Sequence, residues 1–589
     1  MPRPRKRKHS STSSPTGNVA ATTSPKVSDD RIVIAVDFGT TFSGVAYAFN
    51  VPGKAADVVS IMEWPGLEGF RQPKVPTLIL YDERDPTNFK WGGQVDWRTP
   101  AVRGVKLLLD PDQPQPVYLP SSVKKDRKIL LKDPVDVAAD FIGAIYKHAL
   151  SVIESASVRD YFKLCEKEFV LSVPAVWSDK AKDLTLKAAK IAGIFPVILI
   201  KEPEAAALYT LSSHDHAFRT GDTFIVCDAG GGTVDLITYE VLQIQPKLEL
   251  VELVPGSGAM AGSLGLNKRF EETVRNVVGD EQFLNLKKSV GWIKALNEFD
   301  KNIKTAFTGD TSEAHFVTFP KAELEDDLDE GLISNCWEMS GKQLQEIFEP
   351  IINEILRLVG DQYRAAQLKR PVQKIKGIFL VGGFGSSQYL KKCLDEKYES
   401  LGTQVIQPHD AWGAIVKGAA LSRFSSRAAV VSTQAVRNYG VEAFTAFDPI
   451  LDHGRPTKIR LDGSTGVLKM TWYVRKGEDL KRDRAIKFPF HRWIDLHHQP
   501  KDLVFFTELC YSEKDVAPIY PDSSMKVVCR VRADLSSVDK KLFEPLIGIN
   551  DRRLLTVKYD LVLSTAEANL KFSLEIDGKE MGSAVATYD

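Results

Sequence analysis

The chain has no hydrophobic run long enough to span a bilayer, and its first residues carry no apolar signal-peptide core. Its net charge is zero, 77 basic against 77 acidic side chains, so no global pull toward nucleic acid or membrane is expected. Cysteine is sparse. Cys165, Cys227, Cys336, Cys393, Cys510 and Cys529 are scattered with no CxxC pair, which excludes a zinc-ribbon spacing and points to reduced thiols rather than a disulfide frame. At 589 residues the chain is too long for one core, and about three or four domains or subdomains are expected. Residues 1–30 open with the basic cluster Pro2-Arg-Pro-Arg-Lys-Arg-Lys-His9 and continue in Ser, Thr, Pro and Ala, a composition that buries nothing and reads as a disordered tail. It is a nuclear-import signal or a weak tether to an anionic surface, or else a solvated tail without a role.

What the chain does have is one strand–turn–strand pattern written twice. The first copy runs Ile32-Val-Ile-Ala-Val-Asp37-Phe-Gly39-Thr40-Thr41 into Phe42-Ser-Gly-Val-Ala-Tyr47. The second runs Phe224-Ile-Val-Cys-Asp228-Ala-Gly230-Gly231-Gly232-Thr233 into Val234-Asp-Leu-Ile-Thr-Tyr239. Each apolar strand ends in Asp, and a Gly/Thr turn follows. Glycine lets backbone approach a phosphate, successive N–H groups form an anion-binding concavity, and the strand-end Asp suits a hydrated Mg²⁺. Two such hairpins facing each other clamp a polyphosphate; the bland alternative is a pair of ordinary glycine-turn hairpins.

Between and after the hairpins, strand and helix alternate, which predicts α/β layers. Helical periodicity covers 135–165, Ser178 caps a helix ending near Gly193, and Lys201-Glu202-Pro-Glu204-Ala-Ala-Ala207 opens another. Residues 265–310 and 322–370 read mostly helical, and Ile375–Val381 reads as a strand running into Gly382-Gly383-Phe-Gly-Ser386. From about 436 period-two runs dominate, predicting a β-sandwich-like domain. His497-His498 has no partner cluster in the sequence and reads as an exposed loop pair.

The two hairpins, Val170-Leu-Ser-Val-Pro-Ala, Glu202-Pro-Glu-Ala-Ala-Ala and Val381-Gly-Gly-Phe-Gly-Ser-Ser resemble, in that order, the ATPase domain of the seventy-kilodalton heat-shock chaperones, within the actin, hexokinase and heat-shock ATPase superfamily. The departures most resemble the divergent heat shock 70 kDa protein 12 branch, its fungal members in particular. The resemblance implies an actin-like two-lobe ATPase domain of duplicated ribonuclease H-like folds over 31–425, a linker at 426–436, and a β-rich client- or partner-binding domain over 437–589 without a helical lid.

By position, the resemblance implies that Asp37, Gly39, Thr40 and Thr41 form the first phosphate loop and Gly230, Gly231, Gly232 and Thr233 the second. Asp228 would orient the attacking water, Glu202 would couple nucleotide state to the rest of the chain, and Lys106 would meet the γ-phosphate, its alternative being a solvated helix lysine. Asp37, Asp228 and Asp235 would hold Mg²⁺ through water, Asp235 alternatively supporting the loop. Gly262 and Ser263 would pack on the phosphates. Asp300, Lys304, Gly382, Gly383, Ser386 and Asp410 would line the adenosine side, where the arginine that the family stacks on adenine has no counterpart.

The resemblance thus implies a protein that binds ATP or ADP with Mg²⁺ and hydrolyses ATP slowly. Such a protein is chaperone-like, serves protein folding and the stress response, and meets clients or co-chaperones through the β-domain, with no specific nucleic acid and no membrane insertion. It implies a cytoplasmic protein, with nuclear entry through the basic tail as an alternative. Two other functions stay open: a nucleotide-binding scaffold with negligible turnover, and a small-molecule kinase, since sugar and glycerol kinases share these loops.

Overall fold

Ile32, Val33, Ile34, Ala35 and Val36 are apolar on both faces and fully buried, so the first strand sits in the middle of a sheet rather than at its edge. A computed structural model describes residues 30–50, 57–96, 99, 101–110, 130–156, 159–213, 218–424, 428–482, 485–564, 571–580 and 583–587. The basic cluster in the tail lies outside the described residues.

Arg31–Asp37 pairs antiparallel with Phe42–Asn50 and parallel with Glu166–Val173, which is followed by Val197–Lys201. The second hairpin repeats the plan. Thr223–Ala229 pairs antiparallel with Val234–Gln243 and parallel with Ile375–Val381, which is followed by Gln404–Ile406. Each hairpin and its crossover strands therefore make one lobe, as expected for a duplicated fold.

Two helices fill the space between the sheets. Glu202–Ser213 and Ala414–Leu421 share one apolar cluster with Val33, Ala35 and Val170 of the first sheet and with Phe224, Val226 and Phe379 of the second. Small residues set how closely they cross: a Cβ added at Gly418 would lie 1.7 Å from the carbonyl oxygen of Ala205. The Ala-Ala-Ala run after Glu204 and the Gly-Ala-Ala at 418–420 are thus the two sides of one contact. The long helix Gly341–Lys369 opens on a Ser340/Gln343 capping box and covers the outer face of the second lobe.

One expectation fails in this lobe. Residues 322–340 are not helical: Leu332–Ile333 and Cys336–Ser340 join Ala314–Thr318 in a three-stranded sheet. Lys321, Glu323, Ser334 and Asn335 have positive φ, which stops a right-handed helix, while Trp337 and Met339 alternate inward in the period of a strand.

Beyond 428 the described residues form strands and short 3₁₀ turns. Ala428–Gln434 joins the second lobe's own sheet, parallel to Leu248–Ala259, and Asp479–Lys481 pairs onto it from further along the chain. The remaining strands build a six-stranded and a five-stranded sheet. Tyr439, Val441 and Leu509 of one meet Phe488, Leu561 and Leu563 of the other in a common cluster. No described helix is long and apolar enough to cross a membrane.

Candidate functional site

Asp37 ends its strand and Asp228 stands one residue before the end of its own, and the register places Gly44 opposite the first and Asp235 opposite the second. The turn after Asp37 is pinned from outside. Thr77 donates from its hydroxyl to the carbonyl of Gly39 (2.9 Å), and its own N–H donates to the carbonyl of Thr41 (2.8 Å). A Cβ at Gly39 would lie 2.0 Å from the Phe42 carbonyl oxygen, so this turn needs glycine. In the second turn Gly230 N–H closes on Thr233 O at 2.9 Å. The segment Gly262–Leu264 docks on it with three backbone hydrogen bonds, to the carbonyls of Gly232, Gly230 and Gly231.

The two tips meet. A Cβ at Gly231 would stand 2.2 Å from Thr41 Oγ1, and one at Gly232 would stand 2.9 Å from Thr40 Oγ1. Backbone of one glycine turn thus lies directly against the hydroxyls of the other, with Gly262 packed behind, as a cradle for a small polyanion requires.

Below the tips lies a buried cluster of four carboxylates and two lysines: Asp37, Glu202, Asp228, Asp235, Lys74 and Lys106. Lys106 stands in a fully buried 3₁₀ turn, Val105–Leu109, not on a solvated helix, and its ammonium meets Glu202 Oε1 at 2.5 Å with the Trp177 ring 5.5 Å away. Lys74 Nζ meets Asp37 Oδ2 at 2.6 Å, and Ser172 donates to Asp37 Oδ1 at 2.7 Å. Asp235 Oδ1 accepts from the N–H groups of Ala175 (3.0 Å) and Val176 (3.4 Å). Asp228 Oδ1 and Asp235 Oδ2 are buried without a hydrogen-bond partner, and so is Asp37 Oδ2, whose contact with Lys74 is an ion pair rather than an aligned hydrogen bond.

Burial sets the protonation of this cluster. Desolvation opposes charge on Asp37, but Lys74 and Lys106 outweigh it and hold its pKa below the ordinary value. Desolvation, then Glu202 and Asp235, push Asp228 well above the carboxylate range. Desolvation raises Asp235 as well. Glu202 is pushed up to about 7 by burial and by Asp37 and Asp235, against the pull of Lys106. Lys106 stays protonated: burial lowers it, but Glu202 and Asp37 more than compensate.

These donors fit a cation unevenly. The orphaned oxygens of Asp228 and Asp235 suit an ion held through water, whereas the one on Asp37 faces the Lys74 ammonium at 2.6 Å. Among the described residues no group of three His, Cys, Asp or Glu side chains converges to hold a metal alone. Any Mg²⁺ here would therefore rest on phosphate oxygens and water.

The expected adenosine side is drawn from separate elements. The helix carrying Asp300 opens into a π turn at Phe299–Ile303, and Asp300 is paired with Lys304 and accepts from Asn267 Nδ2 at 2.9 Å. Lys304 also donates to Asn267 Oδ1 at 3.1 Å. Gly382, at φ +87°, brings backbone so near Asp228 that a Cβ would lie 2.3 Å from Oδ1. Trp412 lies 3.7 Å from a Cβ built on Gly383 and packs edge-on against Phe42 at 5.3 Å, joining the first turn to the second lobe. Ser386 donates to the Gly383 carbonyl, and Asp410 accepts from the Gly413 N–H and pairs with Lys417 at 2.6 Å.

Lys74, Ser172, Thr77 and Trp412 are the side chains that sequence reasoning missed. The only sequence signal for Lys74 was its place between Pro73 and Val75-Pro76, at the start of a strand-like stretch.

Comparisons with known proteins agree with this geometry. The family described as Hsp70 protein matches residues 134–443, a little over half of the chain. Human heat shock 70 kDa protein 12B is 26% identical over 525 residues, covering 72% of this chain and 73% of that protein. Human heat shock 70 kDa protein 12A is 24% identical over 645 residues, covering 90% of each. A chaperone protein HscA homolog of Neisseria meningitidis is 24% identical over 373 residues, covering 60% of this chain and 52% of that protein. With its repeated hairpins, crossing helices and facing glycine turns, the chain belongs to the Hsp70 family, as a divergent member.

Proposed function

We propose that the chain binds ATP or ADP in the cleft between its lobes, hydrolyses ATP slowly, and uses nucleotide state to control its C-terminal sheets. One observation carries this: the Thr40–Thr41 turn and the Gly230–Thr233 turn face each other over buried carboxylates and lysines. Phosphoryl transfer needs positioning and charge neutralisation more than covalent chemistry. Thr40, Thr41 and Thr233 supply hydroxyl donors to the phosphates, and Lys106 supplies positive charge. Asp228 orients the attacking water. Mg²⁺, held through water by Asp228 and Asp235, supplies further charge neutralisation when bound.

Glu202 and Glu204 open the same helix. Glu202 meets Lys106, while Glu204 takes a bidentate pair from Arg482 at 2.6 Å on each oxygen. Arg482 directly follows Asp479–Lys481. One helix end therefore joins the phosphate site to the strand beside the C-terminal sheets. Those sheets act as a β-sandwich for protein clients or co-chaperones in a cytoplasmic protein.

The test is single-turnover hydrolysis beside an ATP titration. Asp228→Asn should leave binding largely intact and abolish turnover. The second reading, a scaffold that binds without turnover, is favoured by Lys74 lying on Asp37. It predicts binding with no Asp228-dependent rate, and loss of both binding and turnover refutes either reading.

A further inference from the structure

The two hairpins differ at one register position, and the difference concerns charge. Opposite Asp228 stands another carboxylate, Asp235; opposite Asp37 stands Gly44. That glycine makes room. A Cβ at position 44 would lie 2.7 Å from the Pro73 carbonyl oxygen and 3.1 Å from Lys74 Cγ. Val75–Pro76 pairs with Phe42 and Ser43, and Thr77 ties the same segment to the Gly39 turn. The segment is thus held at three points against the first phosphate turn, and it delivers Lys74 Nζ to Asp37 Oδ2 at 2.6 Å in a site where both side chains are more than nine-tenths buried.

A buried carboxylate must be matched by a cation. At Asp37 the chain supplies that cation itself. Lys74 meets Asp37 as an ion pair, and an ammonium carries three N–H donors of the kind that suit phosphate oxygens. A divalent ion approaching Asp37 has to displace Lys74 or settle elsewhere, on the phosphates and beside Asp228 and Asp235.

We propose that Lys74 is a resident cation of the phosphate site, standing on Asp37 where a metal would otherwise lie, so that nucleotide binding depends only weakly on added Mg²⁺. The inference rests on the nucleotide reading above and assigns a role to a residue outside its Gly/Thr turns.

The experiment is an ATP titration of the full chain by calorimetry, in excess Mg²⁺ and in excess EDTA, for the wild type and for Lys74→Met. Wild-type affinity should change less than about tenfold on removal of Mg²⁺, while Lys74→Met should lose about ten- to a hundredfold in EDTA, the worth of one charge-assisted hydrogen bond. With Mg²⁺ present, the variant should bind nearly as well as the wild type, since Asp37 is freed for the ion. Wild-type binding that appears with Mg²⁺ and vanishes in EDTA overturns the role of Lys74 and leaves the nucleotide reading standing. Equal binding of wild type and Lys74→Met in EDTA overturns it too, and absence of binding in both buffers overturns both readings. The wild-type comparison is decisive even where the variant fails to fold.

Discussion

Arg482→Ala tests whether the two halves of the chain are joined by one buried ion pair. Arg482 places two nitrogens on the two oxygens of Glu204, each at 2.6 Å, and the Glu204 side chain is only 3% exposed. Removing one partner of a buried pair leaves a stranded charge, at a cost of about 3–5 kcal/mol. Arg482 itself is 20% exposed, so water reaches part of the pair and the lower end, about 3 kcal/mol, is the expectation. The effect should be local to the strands that Arg482 adjoins. Native-state hydrogen exchange at residues 432–434, which pair with Asp479–Lys481, should speed up on the order of a hundredfold, since each tenfold corresponds to about 1.4 kcal/mol. Adding Glu204→Gln removes the stranded charge, so the double variant should recover part of the loss rather than sum the two single effects. Exchange unchanged within about threefold, or strict additivity, would refute the reasoning, because contacting partners in one pair are expected to couple.

Three further outcomes follow from other contacts. Gly418→Ala should lower the melting temperature, by about 1–3 kcal/mol of stability or more, because its Cβ would sit 1.7 Å from the Ala205 carbonyl; an unchanged melt would mean the helices separate freely. The raised Glu202 gives a pH signature. The folded chain keeps this proton up to about pH 7, while the unfolded chain releases it near the ordinary 4.5, so its contribution to stability is greatest at low pH, falls between those values and is flat above. Asp228 acts in the same direction, whereas the lowered Asp37 acts only below its ordinary 3.8. Thermal melts of wild type against Glu202→Gln from pH 5 to 7.5 should show the wild type losing more, and equal slopes would contradict the assignment. Gly44→Ala should push back the 73–74 segment and weaken metal-free nucleotide binding in parallel with Lys74→Met, which the same calorimetry reads.

The legible parts of the site were those written in consecutive residues. Asp37 to Thr41 and Asp228 to Thr233 announce themselves because strand, carboxylate and turn are adjacent in sequence and each type has a local physical reason. Ser178 was legible as a helix start on the same grounds. Lys106 was reachable only through family resemblance, since nothing near it says that the ammonium turns inward to Glu202, 96 residues away. Lys74 was beyond reach because its direction is set by Gly44, a cross-strand neighbour, and not by its own neighbours in sequence. The misread stretch at 322–340 has the opposite cause. Its acidic run resembles a solvated helix face, while the positive φ values at Lys321, Glu323, Ser334 and Asn335 and the inward alternation of Trp337 and Met339 belong to a sheet.

The strand Ala428–Gln434 has a practical consequence for anyone dividing this protein. It lies parallel along Leu248–Ala259 and carries Asp479–Lys481 on its other side. A fragment ended near 425 would uncover the edge of Leu248–Ala259, leaving unpaired backbone groups of the kind that seed aggregation. One begun at 436 would tear Asp479–Lys481 from its neighbour and separate Arg482 from Glu204. Expression of the first half alone should therefore fail for reasons unrelated to nucleotide, and co-expressed halves should find each other through that missing strand.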